Sequence, residues 1–340
     1  MKVPYFLKSL KRKLLSNRYG KWYIAQKECK EYKFSKSRFE EGYYFDDSTA
    51  APKHKRVVVL YDNKKRAFGL ADRLRSIISI YKTCEEDGIE FKIAFTHPFN
   101  LSRYLLPNIV NWQINVNDLC TNTKYTDICC LEMRTGSDYE IEQHEKWFKK
   151  EFKRNYCEFH VRTNAAYSFK YDFSGMFNKL FKPSPLLTSL ISEHLNILGN
   201  DYISVSFRFL DLLGDFNEPD RNGPLLNENE RRELIQKNLE QIRILHNRFL
   251  DKRILVNSDS ITFLETAKEL NYTYIVQGNI EHIDNTDNTI DGAHDKTLTD
   301  FFMIANATEI YLYITNGMYN SNFPYVASKL YNKPFHRVHF

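Results

Sequence analysis

The chain has 340 residues, 42% apolar, 27% charged and 15% aromatic, a length that suggests two domains of about 150 residues each. Lys and Arg number 48 against 43 Asp and Glu, a net +5, far below the charge density of a dedicated nucleic-acid binder. No apolar run approaches the roughly 20 residues that span a bilayer. The six cysteines have no Cys-X-X-Cys spacing and follow no signal peptide, so a cytoplasmic protein with reduced thiols is expected.

Residues 1–22 carry seven Lys or Arg and no acid, with Phe6, Leu7, Leu10, Leu14 and Leu15 at helical spacing. A basic amphipathic helix of this kind either lies on an anionic membrane surface or packs on its own protein with the lysines in water. Residues 1–54 thus read as a basic extension. The globular part opens with Arg56-Val57-Val58-Val59-Leu60-Tyr61, a β-branched run typical of buried parallel strands. A helix follows, with Leu70, Leu74, Ile77, Ile78, Tyr81 and Cys84 on one face; Gly88 ends it before a strand at Ile89 to Phe95. Such a unit commits the sheet to parallel pairing. Further strands are expected at Ile128 to Met133 and Tyr156 to Arg162, with a helix between them and another before Gly199.

A second alternation starts with the strand Tyr202 to Arg208. A long polar loop, a helix at Glu228 to Phe249, and strands at Arg253 to Asn257 and Tyr272 to Val276 come next, with a helix at Ile261 to Leu270 between them. Thr297 to Ala307, Glu309 to Tyr313 and Tyr325 to Tyr331 complete the pattern as helix, strand and helix. The expected fold is α/β: two Rossmann-like domains with mostly parallel sheets, residues 55–190 and 191–340, facing across a cleft. Ligands of open α/β sheets sit beyond the carboxyl ends of the strands, so loops 62–72, 208–224, 257–260 and 314–322 should line that cleft. No two of the twelve glycines are two residues apart, which excludes the dinucleotide Gly-X-Gly-X-X-Gly loop; the phosphate-binding Gly-Lys-Ser/Thr loop and any Asp-X-Asp metal clamp are absent too. His and Cys show no zinc-ligand spacing, and no metal site is expected.

Four segments in register carry a resemblance. Gly69-Leu70-Ala71-Asp72-Arg73-Leu74-Arg75, Val205-Ser206-Phe207-Arg208-Phe209-Leu210-Asp211, Ile254 to Ser260, and Asn320-Ser321-Asn322-Phe323 with Pro334-Phe335 resemble the motifs of the α1,2/α1,6 and protein-O-fucosyl fucosyltransferase superfamily. Ser206, Phe209 and Leu210 stand where its central motif has His, Arg and Gly, and Asp72 stands where its first motif has Asn. The resemblance implies a GT-B fold and a metal-independent inverting transfer of fucose from GDP-fucose to a glycan. A nucleotide-sugar- or glycan-binding module without turnover is the alternative, favoured by Ser206 and Phe209.

On this reading Arg208, where a strand meets the cleft loop, forks onto the donor diphosphate; its structural alternative is pairing with Asp211 or Asp215. Arg73 adds a cation at a helix N-terminus, and Arg75 is expected in solvent. Ser321 and Asn322 offer donors to the diphosphate or cap the last helix. Asp259 accepts from guanine or ribose, or caps the helix at Ile261; Asp300 frames the base pocket. Candidates for the base that takes the acceptor's proton are Asp72, Asp211, Asp215 and Glu218. His160-Val161-Arg162 matches the His-X-Arg pattern but lacks a following acid. Tyr167, Phe169 and Tyr171 either stack on an acceptor sugar or belong to the core.

Overall fold

The β-branched run from Val57 becomes an interior strand of the first of two parallel sheets. The computed structural model describes residues 43, 45–62, 69–132, 138–164, 167–216, 225–280, 290–315 and 317–340. The basic segment 1–22 and Glu218 lie outside the described residues. The first sheet joins β1 (Arg56–Tyr61), β2 (Glu90–Phe95), β4 (Thr126–Leu131) and β5 (Glu158–Thr163) in the order β2-β1-β5-β4. Every pairing in it is parallel. Between β1 and β2 runs α1 (Leu70–Asp87), stopped by Gly88 at φ 64°, a left-handed conformation that glycine adopts without a Cβ penalty. Between β4 and β5 runs α2 (Asp138–Glu151).

The second sheet joins β7 (Tyr202–Phe207), β8 (Arg253–Ser258), β9 (Thr273–Tyr274), β10 (Glu309–Ile314) and β11 (Phe335–His339), in the order β11-β10-β7-β8-β9. These pairings are parallel as well. Its crossovers are α5 (Glu228–Arg248), α6 (Ile261–Lys268), α7 (Asp295–Asn306) and α8 (Phe323–Leu330). A capping box sets the start of α5: Asn227 accepts from the Glu230 N–H while the Glu230 side chain accepts from the Asn227 N–H.

Three features were not expected. A two-stranded antiparallel sheet pairs β3 (Leu105–Pro107) with β6 (Phe181–Pro183), α3 (Phe173–Leu180) precedes β6, and β11 closes the edge of the second sheet. Strands of three residues ending in proline carry too few alternations to be legible as strands. Between the sheets, α4 (Pro185–Leu198) starts on the Ser184 cap with Pro185 in its first turn.

One apolar cluster spans both units, while the second sheet carries a cluster of its own on its other face. A single buried cluster contains Ile77 of α1, Phe177 of α3, Phe302 of α7 and Val326 of α8. α8 carries the second unit back onto the first: the Ser174 hydroxyl donates to the Leu330 carbonyl at 2.6 Å, and the Tyr325 and Phe169 rings lie 5.1 Å apart. Among the described residues no helix is long and apolar enough to cross a membrane.

Candidate active site

In the second sheet the chain leaves β7 toward β8 and β9 on one side, while β10 and β11 add on the other. Crossovers running to opposite sides open a crevice at the carboxyl ends of β7 and β10, where α/β sheets bind ligands. Arg208 is the first residue beyond β7, and its carbonyl accepts the Tyr319 N–H from the loop after β10 at 2.9 Å. Two of the expected cleft loops are thereby tied together. The Arg208 side chain is 24% exposed; its Nε lies 3.3 Å from Asp259 Oδ2 and its guanidinium 4.4 Å from the Phe216 ring centre.

Asp259 organises this turn. Its carboxylate is 1% exposed, and it accepts the N–H groups of Phe209 at 2.8 Å and Leu210 at 2.7 Å. Burial pushes its pKa up, while Arg208 and the two amides pull it down. The helix cap at Ile261 is a different residue: Ser260 Oγ accepts the Phe263 N–H at 3.1 Å. Leu210 holds φ 54°, the left-handed region where the related motif carries glycine. Phe209, in place of a second arginine, is buried in the apolar cluster with Phe207 and Phe263.

One layer below, Ser206 and Asn257 sit opposite each other in the β7–β8 register. Side chains alternate along a strand, so they share a face with Arg208 and Asp259. They are 6% and 9% exposed. Ser206 Oγ and both Asn257 amide atoms find no hydrogen-bond partner among the described residues. Buried polar atoms left unmatched are costly, and at a crevice mouth they call for a polar ligand or water.

The sheet's far end supplies a second such group. Lys296 Nζ donates to the Val276 carbonyl and to Asp300 Oδ2, both at 2.8 Å, while Asp300 Oδ1 is buried without a partner among the described residues. Burial raises the Asp300 pKa against the pull of Lys296. The N-terminus of α7 also meets the first unit. The Tyr104 hydroxyl donates to Asp295 at 2.6 Å, Arg103 pairs with Asp291 at 2.6 Å, and the His294 ring lies 4.9 Å from Phe99. Burial lowers the His294 pKa.

The start of α1, in the first unit, carries three charged residues, Asp72, Arg73 and Arg75. Asp72 Oδ1 lies 3.2 Å from Arg75 Nη1. The Asp72 carboxylate is 38% exposed yet recessed among protein atoms, so desolvation raises its pKa while Arg75 opposes the rise. Arg75, expected in solvent, is instead buried with its side chain 7% exposed, its guanidinium 5.5 Å from the Phe169 ring centre. Its charge interacts with the hydroxyls of Tyr319 and Tyr325 from the second unit. Arg73, expected at the anion, points into the interior. It is fully buried, donates to the His97 carbonyl at 2.6 Å, and lies over Tyr61 and Phe95.

The remaining candidates separate. Asp215 Oδ2 accepts from the Ser260 hydroxyl at 2.7 Å and the Thr262 N–H at 2.8 Å, which seats it on the N-terminus of α6. Asp211 lies in the 3-10 turn Leu210–Leu212. Ser321 Oγ accepts the Phe323 N–H at 3.2 Å, and the Asn322 side chain makes no cap bond. His160 is buried in the first sheet between Glu158, at 2.5 Å, and the Tyr43 hydroxyl. Tyr167 is a core residue bonded to Thr83, Tyr171 bonds Glu145, and Phe169 lies beneath Arg75. Among the described residues one cluster has metal-ligand chemistry, Asp127 with Cys129 and Glu151. Arg154 pairs with both of its carboxylates. Asn257, Arg75 and Lys296 were not singled out as site residues from sequence. The signal for Asn257 and the serines was their presence in otherwise apolar strands.

No protein-family model matches the chain, and no curated protein sequence matches it. Solved structures do. A point mutant of Arabidopsis thaliana FUT1 in complex with GDP superposes with a TM-score of 0.50 at 13% identity, covering 99% of this chain and 80% of that one. NodZ alpha-1,6-fucosyltransferase soaked with GDP-fucose gives 0.51 at 14% identity over 82% and 93%. Fucosyltransferase NodZ from Bradyrhizobium gives 0.50 at 12% over 82% and 93%. At such identity the likeness is one of fold: this chain has the GT-B architecture of these fucosyltransferases.

Proposed function

We propose that the chain is an inverting glycosyltransferase that moves fucose from GDP-fucose to a glycan hydroxyl without a divalent metal. The observation that carries this reading is Arg208 at the crevice between β7 and β10, above a buried layer of unmatched polar atoms on Ser206 and Asn257. Structures of the same fold were solved with GDP and with GDP-fucose. In the reaction the acceptor oxygen attacks the anomeric carbon of fucose, and the bond from that carbon to the β-phosphate oxygen breaks. The electron pair stays on the diphosphate, which leaves as GDP. Arg208 meets the growing negative charge with a fixed cation, and loss of such a contact costs on the order of 10²–10³ in rate. The unmatched Asp300 oxygen suits the N1–H and amino donors of guanine, and the Ser206–Asn257 layer suits polar atoms of the nucleotide. The acceptor's proton goes to Asp72 on this reading, since its carboxylate is partly open to solvent while Asp215 is engaged on α6.

The test is thermal shift with GDP, UDP and ADP in the presence of EDTA. GDP should raise the melting temperature of the wild type and not of Arg208→Ala; no shift with any of the three at millimolar concentration overturns the proposal. A second reading, a binding module without turnover, is favoured by Phe209, which fills the core where the motif has arginine. It predicts a GDP shift with no release of fucose from GDP-fucose. The seven cations of residues 1–22 support a further contact with anionic membrane, to be tested by co-sedimentation with anionic vesicles.

A further inference from the structure

We propose that Arg75 is a positioning residue for the transfer reaction, holding the Asp72 carboxylate ionised from a seat that the second unit completes. The inference rests on the transfer reading above and concerns its acceptor side.

Asp72 and Arg75 are three residues apart, so both lie on one face of α1. An exposed pair of this spacing is worth only a few tenths of a kcal/mol, and two long side chains in water rarely stay fixed. This pair is different. Arg75 is buried, its guanidinium 5.5 Å from the Phe169 ring centre, and Phe169 in turn lies 5.1 Å from the Tyr325 ring, while the Asp72 carboxylate is partly open to solvent. Arg75 Nε is buried and finds no hydrogen-bond partner among the described residues, so the 3.2 Å contact to Asp72 is the interaction that orients the guanidinium. Tyr325 belongs to α8, so the second unit completes the seat of the guanidinium.

Among the described residues the charged groups around Asp72 are few: Arg75 is the cation that faces it, and Arg73 on the same helix turns inward. Tyr61 from β1 is held neutral by burial, its pKa pushed up to about 12. Tyr319 and Tyr325 act on Arg75. Burial raises the pKa of the carboxyl and the guanidinium 3.2 Å away opposes that rise. In the step itself the acceptor O–H proton moves to an Asp72 oxygen as the new C–O bond forms, and is later lost to water.

The experiment uses the full chain with GDP-fucose and water as acceptor, following GDP release against pH. Asp72 acts as carboxylate, so the rate falls as pH drops through its pKa. Removing the cation raises that pKa. In Arg75→Gln the acid limb should move up by about one pH unit, the low end for loss of a neighbouring opposite charge because the carboxylate is partly solvated. Arg75→Lys should restore most of the shift, and Asp72→Asn should abolish the limb and cost about 10²–10⁴ in rate. GDP-induced thermal shifts should be equal in all four proteins, which also shows that they fold. An unchanged profile in Arg75→Gln, or full activity in Asp72→Asn, overturns this inference while leaving donor binding intact. A wild type that binds GDP and releases no fucose overturns the transfer reading itself.

Discussion

Replacing Asp259 with alanine tests how the crevice mouth is built. The carboxylate accepts the backbone N–H groups of Phe209 and Leu210 and lies 3.3 Å from Arg208 Nε. Without it, two amides in a buried turn lose their acceptor, each at a cost of about 1–3 kcal/mol, and Arg208 loses its partner. Part of this is returned, because the buried charge no longer has to be desolvated and Leu210 is free to leave φ 54°. The net should be about 3–5 kcal/mol, the range for breaking a buried charge contact from one side. At roughly 2–4 °C per kcal/mol for a domain of this size, Asp259→Ala should melt about 10 °C below the wild type. Asp259→Asn keeps one carbonyl acceptor and should lose about half as much. In both variants GDP should give a smaller shift, since Arg208 is no longer held. Scanning fluorimetry with and without GDP measures all of this. If Asp259→Ala melts with the wild type and binds GDP equally, the carboxylate does not organise the turn.

Two further substitutions separate scaffold from chemistry. Asp215→Ala removes the acceptor for Ser260 and Thr262 at the start of α6 and should lower stability by about 1–2 kcal/mol. Release of GDP from GDP-fucose should be retained; a loss of rate without loss of stability would return Asp215 to the list of bases. Ser206→Ala deletes a hydroxyl with no partner among the described residues. It should leave the melting temperature without ligand unchanged or slightly higher, while GDP affinity, measured by calorimetry, falls.

Much of the fold could be read from local pattern because that pattern is set by burial. The run Val57 to Tyr61 faces core on both sides of its sheet, and the α5 start is written in Asn227 and Glu230. Where contacts are short or distant, local pattern is silent: β3 and β6 have three residues each, and Asp215 reaches a helix 46 residues along the chain. The two arginines of α1 show what local pattern does and does not reveal. Arg73 is three residues after Leu70 and four before Ile77, which puts it within the buried stripe, and that is where it lies. Arg75 falls on a face with Asp72, Ser76, Ser79 and Thr83, which looks solvated by composition. Those small hydroxyl residues instead receive Tyr167, whose N–H bonds Ser79 Oγ at 2.9 Å, and α8 packs on the same helix. Composition reports polarity; it does not report that a second unit covers the face.

The most direct measurement is a crystal structure of the protein with GDP, grown in the presence of a chelator. The account predicts an Arg208 guanidinium nitrogen about 2.7–2.9 Å from a diphosphate oxygen at the mouth of β7 and β10, with no ion between them. A nucleotide bound elsewhere, an Arg208 side chain remote from the phosphates, or binding lost once divalent ions are chelated would contradict it.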